Sequence, residues 1–202
     1  MKSLHTGLLA LVASSLPLAS SWARADATRE WNFAVSLDGR PIGEHRFTLR
    51  ESGDIREVQS EASFRVRFLF VDAYRYEHRA RERWDGDCVQ SVDASTDTNG
   101  KRQRVSVGAE LTTETCIQTF AYWNPSILDA RRLLNPQTGE YVDVKILPMG
   151  RDVIGGVPVD RFRLLGSGDT PLQIDLWYTA SREWVALESL TPEGRRLNYS
   201  RK

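Results

Sequence analysis

Residues 74–107 constrain the fold most, because they combine two turn signals with a regular alternation of side-chain type. Every odd position from 75 to 83 is charged. The even positions are mostly apolar or amphipathic, and they are Tyr74, Tyr76, His78, Ala80 and Trp84. Successive side chains of a strand point to opposite faces of a sheet. The alternation therefore predicts a strand with one covered and one wet face, and Glu82 is the exception on the covered face.

A turn at Asn99-Gly100 fixes the pairing of the strands on either side of it. A two-residue turn of type I′ needs positive φ at both central positions, and Asn-Gly adopts it readily. The turn therefore predicts a hairpin in which Ala94 lies opposite Val105.

A second turn, around Asp85-Gly86-Asp87, joins this hairpin to the preceding strand. We expect a three-residue loop, because it sets Ala80 opposite Val92 and keeps the apolar face continuous. A two-residue loop would shift the faces by one position. Either way, the region forms a three-stranded meander.

The same alternation predicts strands on both sides of the meander. They lie at 31–37, 44–50 and 58–70 before it, and at 141–147, 157–165, 172–178, 184–190 and 195–200 after it. We expect about ten or eleven strands, joined by local hairpins. A sheet with that many strands must curl or close. The predicted fold class is all-β with one short helix, a single curved antiparallel sheet that forms an open or half-closed barrel.

The short helix is predicted at residues 125–134. Asn124 is a good N-cap, Pro125 suits the first helical position, and Asn135-Pro136 ends the pattern. A helix of about ten residues is marginal alone, so its apolar side chains must dock on another surface. We interpret Ile127, Leu128 and Leu133 as a lid over the open side of the barrel.

Residues 1–25 have the pattern of an export signal. Lys2 precedes an apolar run over 7–18, and Ala23-Arg24-Ala25 matches a cleavage site. We expect the remaining residues, 26–202, to form one domain located in the periplasm or secreted. No later apolar run approaches the roughly 20 residues of a membrane helix, so an integral membrane protein is not expected.

The charge balance argues against nucleic acid as a partner. The whole chain carries 27 basic and 27 acidic residues, and residues 1–25 contribute Lys2 and Arg24 but no acid. The predicted mature chain therefore has 25 basic and 27 acidic residues, a formal net charge of −2. A surface that binds phosphates is normally strongly basic.

Cys88 and Cys116 are the two cysteines of the chain. In an oxidising compartment they are expected to form a disulfide, and the alternative is two separate small buried side chains. We predict no metal site, because only His45 and His78 accompany them in the mature chain and neither has ligand spacing. We also predict no cofactor, since the common nucleotide-binding and catalytic motifs are absent from the sequence.

The covered face of the predicted sheet is rich in aromatic side chains. Candidate ligand-binding residues on this face are Trp31, Phe33, Phe47, Phe64, Phe68, Tyr74, Tyr76, His78, Glu82 and Trp84. In a small sandwich these side chains would interlock as a filled core. In a strongly curved sheet they would line a cavity for a lipid or another apolar small molecule.

His45, His78 and Glu82 are the ionisable residues predicted to point inward. A buried carboxylate needs a partner, a place at the rim, or a functional role. His78 and Glu82 could form an acid-base pair, but they lie four residues apart on one strand, roughly 13 Å. We therefore predict no catalytic residues and treat an enzyme as the least favoured class.

Four segments resemble an uncharacterised family of secreted bacterial proteins of unknown function. They are FLFVDAYRYEHRARERW, TDTNGKR, YWNPSILDARRLLNPQTGEYV and IDLWYTASREWVALES, and the resemblance covers most of residues 30–200. That family is similar in architecture to the periplasmic lipoprotein carriers of the LolA/LolB type, which implies an open barrel around a short helical plug. The resemblance implies no functional residues, because none are defined for the family.

We therefore predict an exported, non-enzymatic protein that binds a lipid or other apolar ligand in its aromatic interior. The alternative is a structural module with a filled core, which would bind a protein partner through an edge strand.

Overall fold

The structure is a computed structural model, and it describes residues 27–68, 71–108, 111, 116–168 and 172–202. The predicted export signal at 1–25 lies outside these residues. Within them the regular structure is almost entirely β-strand. The strands are β1 (Ala27–Leu37), β2 (Arg40–Ser52), β3 (Ile55–Phe68), β4 (Val71–Asp85), β5 (Cys88–Thr98), β6 (Lys101–Val107), β7 (Gln118–Thr119), β8 (Arg132–Leu134), β9 (Tyr141–Ile154), β10 (Val157–Gly166), β11 (Leu172–Tyr178), β12 (Trp184–Leu190) and β13 (Arg196–Arg201).

The strands form one open sheet. Their order is β6, β5, β4, β3, β2, β1, β13, β12, β11, β10, β9, β8 and β7. The pairs are antiparallel except for β7 with β8, which is parallel. The sheet curves, because residues as far apart in this order as Val92 on β5 and Val144 on β9 share one core. The predicted fold class is confirmed, with thirteen described strands instead of ten or eleven and one parallel pair.

The central meander confirms one predicted register and corrects the other. Ala94 lies opposite Val105 across the Asn99-Gly100 turn, as predicted. The earlier turn has two residues and not three, because Asp85 pairs with Cys88. Ala80 lies opposite Ala94, and not opposite Val92. A register shift beside Trp84 places an extra residue in β5, and such a bulge restores the inward direction of the side chains after the shorter turn.

The predicted helix at 125–134 is wrong in type and length. A 3₁₀ helix spans Pro125–Asp129, and the Asn124 side chain caps it by accepting a hydrogen bond from the Ser126 N–H. The chain then extends into β8, where Leu133 pairs with Val142 of β9. Pairing with a neighbouring strand therefore overrides the helical spacing of these leucines. No helix in the described part of the chain is long and apolar enough to cross a membrane.

The predicted disulfide is confirmed, and it joins β5 to the segment before β7, a strand that the sheet order places far from β5. Cys88 and Cys116 are bonded with their Cα atoms 4.6 Å apart. Beside the bond, the Val89 N–H donates a hydrogen bond of 2.9 Å to the carbonyl of Ile117. These two contacts connect β5 to the segment that leads into β7, so they partly close the gap between the two edges of the sheet.

The interior has a solid end and a hollow end. The solid end is built from large buried side chains, namely Trp31, Phe33, Trp84, Trp123, Tyr178 and Trp184. Trp84 and Trp123 meet edge to face with ring centroids 5.4 Å apart. Further along β3 and β4, the inward positions carry the small residues Ser60, Ala62 and Ala80. These small side chains leave the space in which the candidate site lies.

Candidate functional site

The candidate site begins with an interior cavity of about 230 Å³. Its floor is formed by Ser60 and Ala62 of β3 and by Ala80 of β4, which lie side by side on the inner face of the sheet. Phe47 of β2 borders the same space. Because the pleat directs alternate side chains inward, three small residues in neighbouring positions produce a single hollow and not scattered voids.

The interior cavity is covered by two segments outside the long strands. Phe120–Trp123 follows β7, and Asn135–Gln137 follows β8, and both contribute lining residues. Tyr199 of β13 also lines this cavity. Sequence analysis missed these groups, because their position depends on which strands meet. Tyr199 lies opposite Val35 of β1, and that long-range pairing leaves no signal in the local sequence.

A second and more open cavity of about 600 Å³ adjoins the first, and we call it the mouth cavity. Its lining is largely apolar and aromatic, and includes Leu37, Ile42, Phe64, Val66 and Tyr74. The two cavities share Tyr76, Gln137, Leu197 and Tyr199. The two cavities therefore adjoin each other at these four side chains.

Two histidines of the interior cavity are held neutral. His45 is hydrogen-bonded through Nε2 to Ser60 at 2.7 Å and through Nδ1 to Tyr199 at 3.3 Å. Nδ1 of His78 lies 2.9 Å from the hydroxyl of Thr96. Burial lowers the pKa of His78 to about 4, and burial together with the nearby His78 lowers the pKa of His45 to about 3. Neither imidazole carries a charge at neutral pH.

Glu82 lies at the deep end of the interior cavity and has two hydrogen-bond partners. Its Oε2 accepts hydrogen bonds from Trp84 Nε1 at 3.0 Å and from the Thr119 hydroxyl at 2.9 Å. Burial raises the pKa of Glu82 to about 7, although both hydrogen bonds act in the opposite direction. The predicted buried carboxylate therefore has partners, and Glu82 also ties β4 to β7.

His78 and Glu82 do not hydrogen-bond to each other. His78 contacts Thr96, whereas Glu82 contacts Trp84 and Thr119. No group of three or more His, Cys, Asp or Glu side chains that could hold a metal ion occurs among the described residues. The interior cavity presents hydrogen-bonding groups on two neutral imidazoles and one carboxyl.

Tyrosine hydroxyls supply further polar groups. Burial raises the pKa of Tyr76, Tyr122 and Tyr199, so all three remain protonated and can donate hydrogen bonds. The hydroxyls of Tyr76 and Tyr122 have no hydrogen-bond partner within the described residues. Both side chains line the interior cavity, where these hydroxyls are available to a ligand.

Nine of the ten predicted ligand-binding residues divide into three groups. Phe47, Tyr76, His78 and Glu82 line the interior cavity. Phe64 and Tyr74 line the mouth cavity, together with Tyr76. Trp31, Phe33 and Trp84 line neither cavity and belong to the solid end. The tenth residue is Phe68, whose side chain lies outside the described part of the structure.

The three predicted lid residues do not cover the cavity. Ile127 and Leu133 are buried in the hydrophobic core, and Leu128 packs against the same core. None of the three lines the interior cavity or the mouth cavity. The segments that do cover the interior cavity are their neighbours in sequence, Phe120–Trp123 and Asn135–Gln137.

The fold is similar to that of a β-barrel-like protein of a domain of unknown function (DUF1849) from Brucella abortus. The two structures align with a TM-score of 0.59 and 8% sequence identity, over 89% of this chain and 97% of the other. At that identity the similarity establishes the fold alone. No curated protein matches the sequence. Residues 33–202 match the family described as a domain of unknown function (DUF6134), and the chain therefore belongs to that family.

Proposed function

We propose that this protein is an exported binding protein that holds an amphipathic or apolar small molecule inside its curved sheet. The observation that supports this function is the pair of adjoining cavities inside the sheet, the interior and mouth cavities, which share Tyr76 and Tyr199 in their walls. Ligand sites are typically concave, mostly apolar and supplied with a few polar groups. The interior cavity has this character, with Phe47 and Val58 beside His78 and Glu82.

The arrangement of the interior supports binding over the alternative of a filled core. A filled core would use all of its large side chains to fill space, as Trp31, Phe33 and Trp84 do at the solid end. At the hollow end, three adjacent inward positions carry only Ser60, Ala62 and Ala80. Protein interiors are normally close-packed, so a hollow of this size needs an occupant to recover the missing contacts.

Export is the part of the proposal that the disulfide supports. Disulfides persist in oxidising compartments such as the bacterial periplasm and are rare in the cytosol. The Cys88–Cys116 bond fits that environment. We propose that residues 1–25 direct export and that 26–202 act as one domain in the periplasm.

A cavity-filling substitution tests the proposed function. Ala80→Leu places three additional carbon atoms in the interior cavity, so we expect at least a tenfold loss of affinity for a neutral naphthylamine probe that fluoresces in apolar sites. The matched control is Ala34→Leu, the same change at an exposed position of β1. Both variants should show cooperative unfolding. Unchanged probe affinity in a folded Ala80→Leu protein would contradict binding inside the sheet.

A further inference from the structure

The carboxyl group of Glu82 retains an unused hydrogen-bond acceptor at the deep end of the interior cavity. Trp84 and Thr119 both donate to Oε2. Oε1 has no partner within the described residues, and it is not among the polar atoms that are fully enclosed and unsatisfied. Since Glu82 lines the cavity, Oε1 is the atom of this carboxyl that a ligand can reach.

Among the described residues, no cationic side chain balances Glu82 inside the cavity. The described residues that line the interior cavity include no Arg or Lys, although arginines are abundant on the outer face of the same strands. The ionisable neighbours are His45 on β2, His78 on β4 and the three tyrosines Tyr76, Tyr122 and Tyr199. Burial keeps both imidazoles and all three phenols neutral at neutral pH.

The charge distribution discriminates between the head groups of an amphiphile. Above its pKa of about 7, Glu82 is ionised. A carboxylate or phosphate head at the deep end would then approach Glu82 with no positive charge to offset the repulsion, in an environment where charges interact strongly. A hydroxyl or ammonium head would donate a hydrogen bond to Oε1. Hydrogen bonds to an ionised acceptor are about twice as strong as neutral ones, which favours an amine further.

We propose that the ligand is an amphiphile whose apolar body occupies the mouth cavity and whose non-anionic head, a hydroxyl or an amine, donates a hydrogen bond to Glu82. The inference rests on the binding function proposed above and specifies its ligand. The apolar side chains Phe64 and Val66 line the mouth cavity, where they can contact the apolar body. Glu82 lies six residues along β4 from Tyr76, roughly 20 Å by strand rise, so the head group and the apolar body occupy separate parts of the interior.

Competition among three amphiphiles with the same chain tests this inference. Decanol, decylamine and decanoate are each titrated against the bound naphthylamine probe at pH 8, below their micelle concentrations. We expect decanol and decylamine to displace the probe at concentrations at least tenfold lower than decanoate. Equal or stronger displacement by decanoate overturns the inference.

Substitution of the carboxyl provides the second readout. In Glu82→Gln, we expect decylamine to lose at least tenfold in affinity relative to decanol. The amide oxygen stays with its donors Trp84 and Thr119, so the amide N–H group replaces Oε1 at the cavity, where it can donate to a hydroxyl but not to an ammonium. The matched control is Glu61→Gln, which removes an exposed carboxylate from β3 and should leave the ratio unchanged. A ratio that stays the same in folded Glu82→Gln also contradicts the inference.

The outcomes separate the two proposals. If the probe itself does not bind wild-type protein, the proposed binding function fails. If the probe binds and all three amphiphiles displace it equally, the binding function stands and the assignment of Glu82 to the head group fails.

Discussion

Burial in the folded protein disfavours the ionised form of Glu82. Its side chain is 9% exposed, and its two hydrogen bonds offset only part of the cost of burying a charge. The result is a pKa of about 7, compared with 4.5 for an ordinary glutamate. The neutral form is therefore favoured in the folded protein up to neutral pH. In the unfolded chain, the same group ionises at much lower pH.

This difference predicts how stability depends on pH. Between pH 4.5 and about 7 the folded state keeps the Glu82 proton that the unfolded state has released, so the contribution of Glu82 to stability is lost as pH rises. We expect Glu82→Gln to gain on the order of 3 kcal/mol relative to wild type between pH 4 and pH 8, since one pKa unit corresponds to about 1.4 kcal/mol. Urea unfolding of both proteins at each pH measures the difference.

The two cavity histidines do not affect the difference in unfolding free energy between wild type and Glu82→Gln. Their pKa values are lowered, so the stability that they contribute is present above pH 6.5 and is lost as the pH falls towards 4 and 3. Both proteins contain the same histidines, and their effect cancels in the difference. A difference that is flat from pH 4 to pH 8 would show that burial does not raise the pKa of Glu82.

At the scale of secondary-structure elements, the disulfide between β5 and the segment before β7 holds the two sides of the open sheet together. The sheet order places these elements far apart, and the Cys88–Cys116 bond spans 28 positions of the sequence. Closing a loop of this length restricts the unfolded chain more than the folded one. The bond also holds β7 where Thr119 can donate its hydrogen bond to Glu82.

Loss of the disulfide should therefore destabilise the protein measurably. We expect the double variant Cys88→Ala with Cys116→Ala to lose about 3 to 4 kcal/mol of unfolding free energy, from the chain entropy of the loop. Wild-type protein treated with a reductant should unfold at a similar urea concentration. The double variant is the control, because the reductant must have no further effect on it. A loss below about 1 kcal/mol would contradict the stabilising role.

Several elements could be predicted from the sequence because their signals are local. Alternation places His45 and His78 on the inner face. The Asn99-Gly100 turn fixes the register of β5 with β6, because both of its residues adopt the positive φ angles that the turn needs. The turn at Gly86-Asp87 was predicted with the wrong length, because a bulge beside Trp84 corrects the direction of the side chains and leaves no clear local signal. The segment 130–134 was assigned to a helix for a similar reason, since its pairing with β9 is tertiary.

The candidate site was predicted in part. Period-2 alternation identifies Phe47, Tyr76, His78 and Glu82 as inward-facing, and all four line the interior cavity. Alternation alone cannot separate them from Trp31 and Phe33, which face inward but fill the solid end. That distinction depends on whether neighbouring strands carry small residues at the same level. The position of the cover depends on the pairing of β8 with β7 and β9, and the position of Tyr199 depends on the long-range pairing of β13 with β1.

At the scale of the whole molecule, the central claim is that the hollow end of the curved sheet holds the apolar part of a ligand. The outer surface offers a competing site, because the β9–β10 hairpin exposes the apolar residues Met149 and Val153. A fluorescent probe could bind there as well as inside. The two sites must therefore be distinguished by the position of the ligand and not by its affinity alone.

The most direct test is a crystal structure of the protein with decanol that carries a bromine at the end of its tail, located by anomalous scattering. We expect the bromine peak inside the sheet, in the interior cavity or at its border with the mouth cavity beside Tyr76 and Leu197. A peak beside Met149 and Val153, or no peak within either cavity in crystals grown at saturating ligand, would contradict the claim that the curved sheet encloses the binding site.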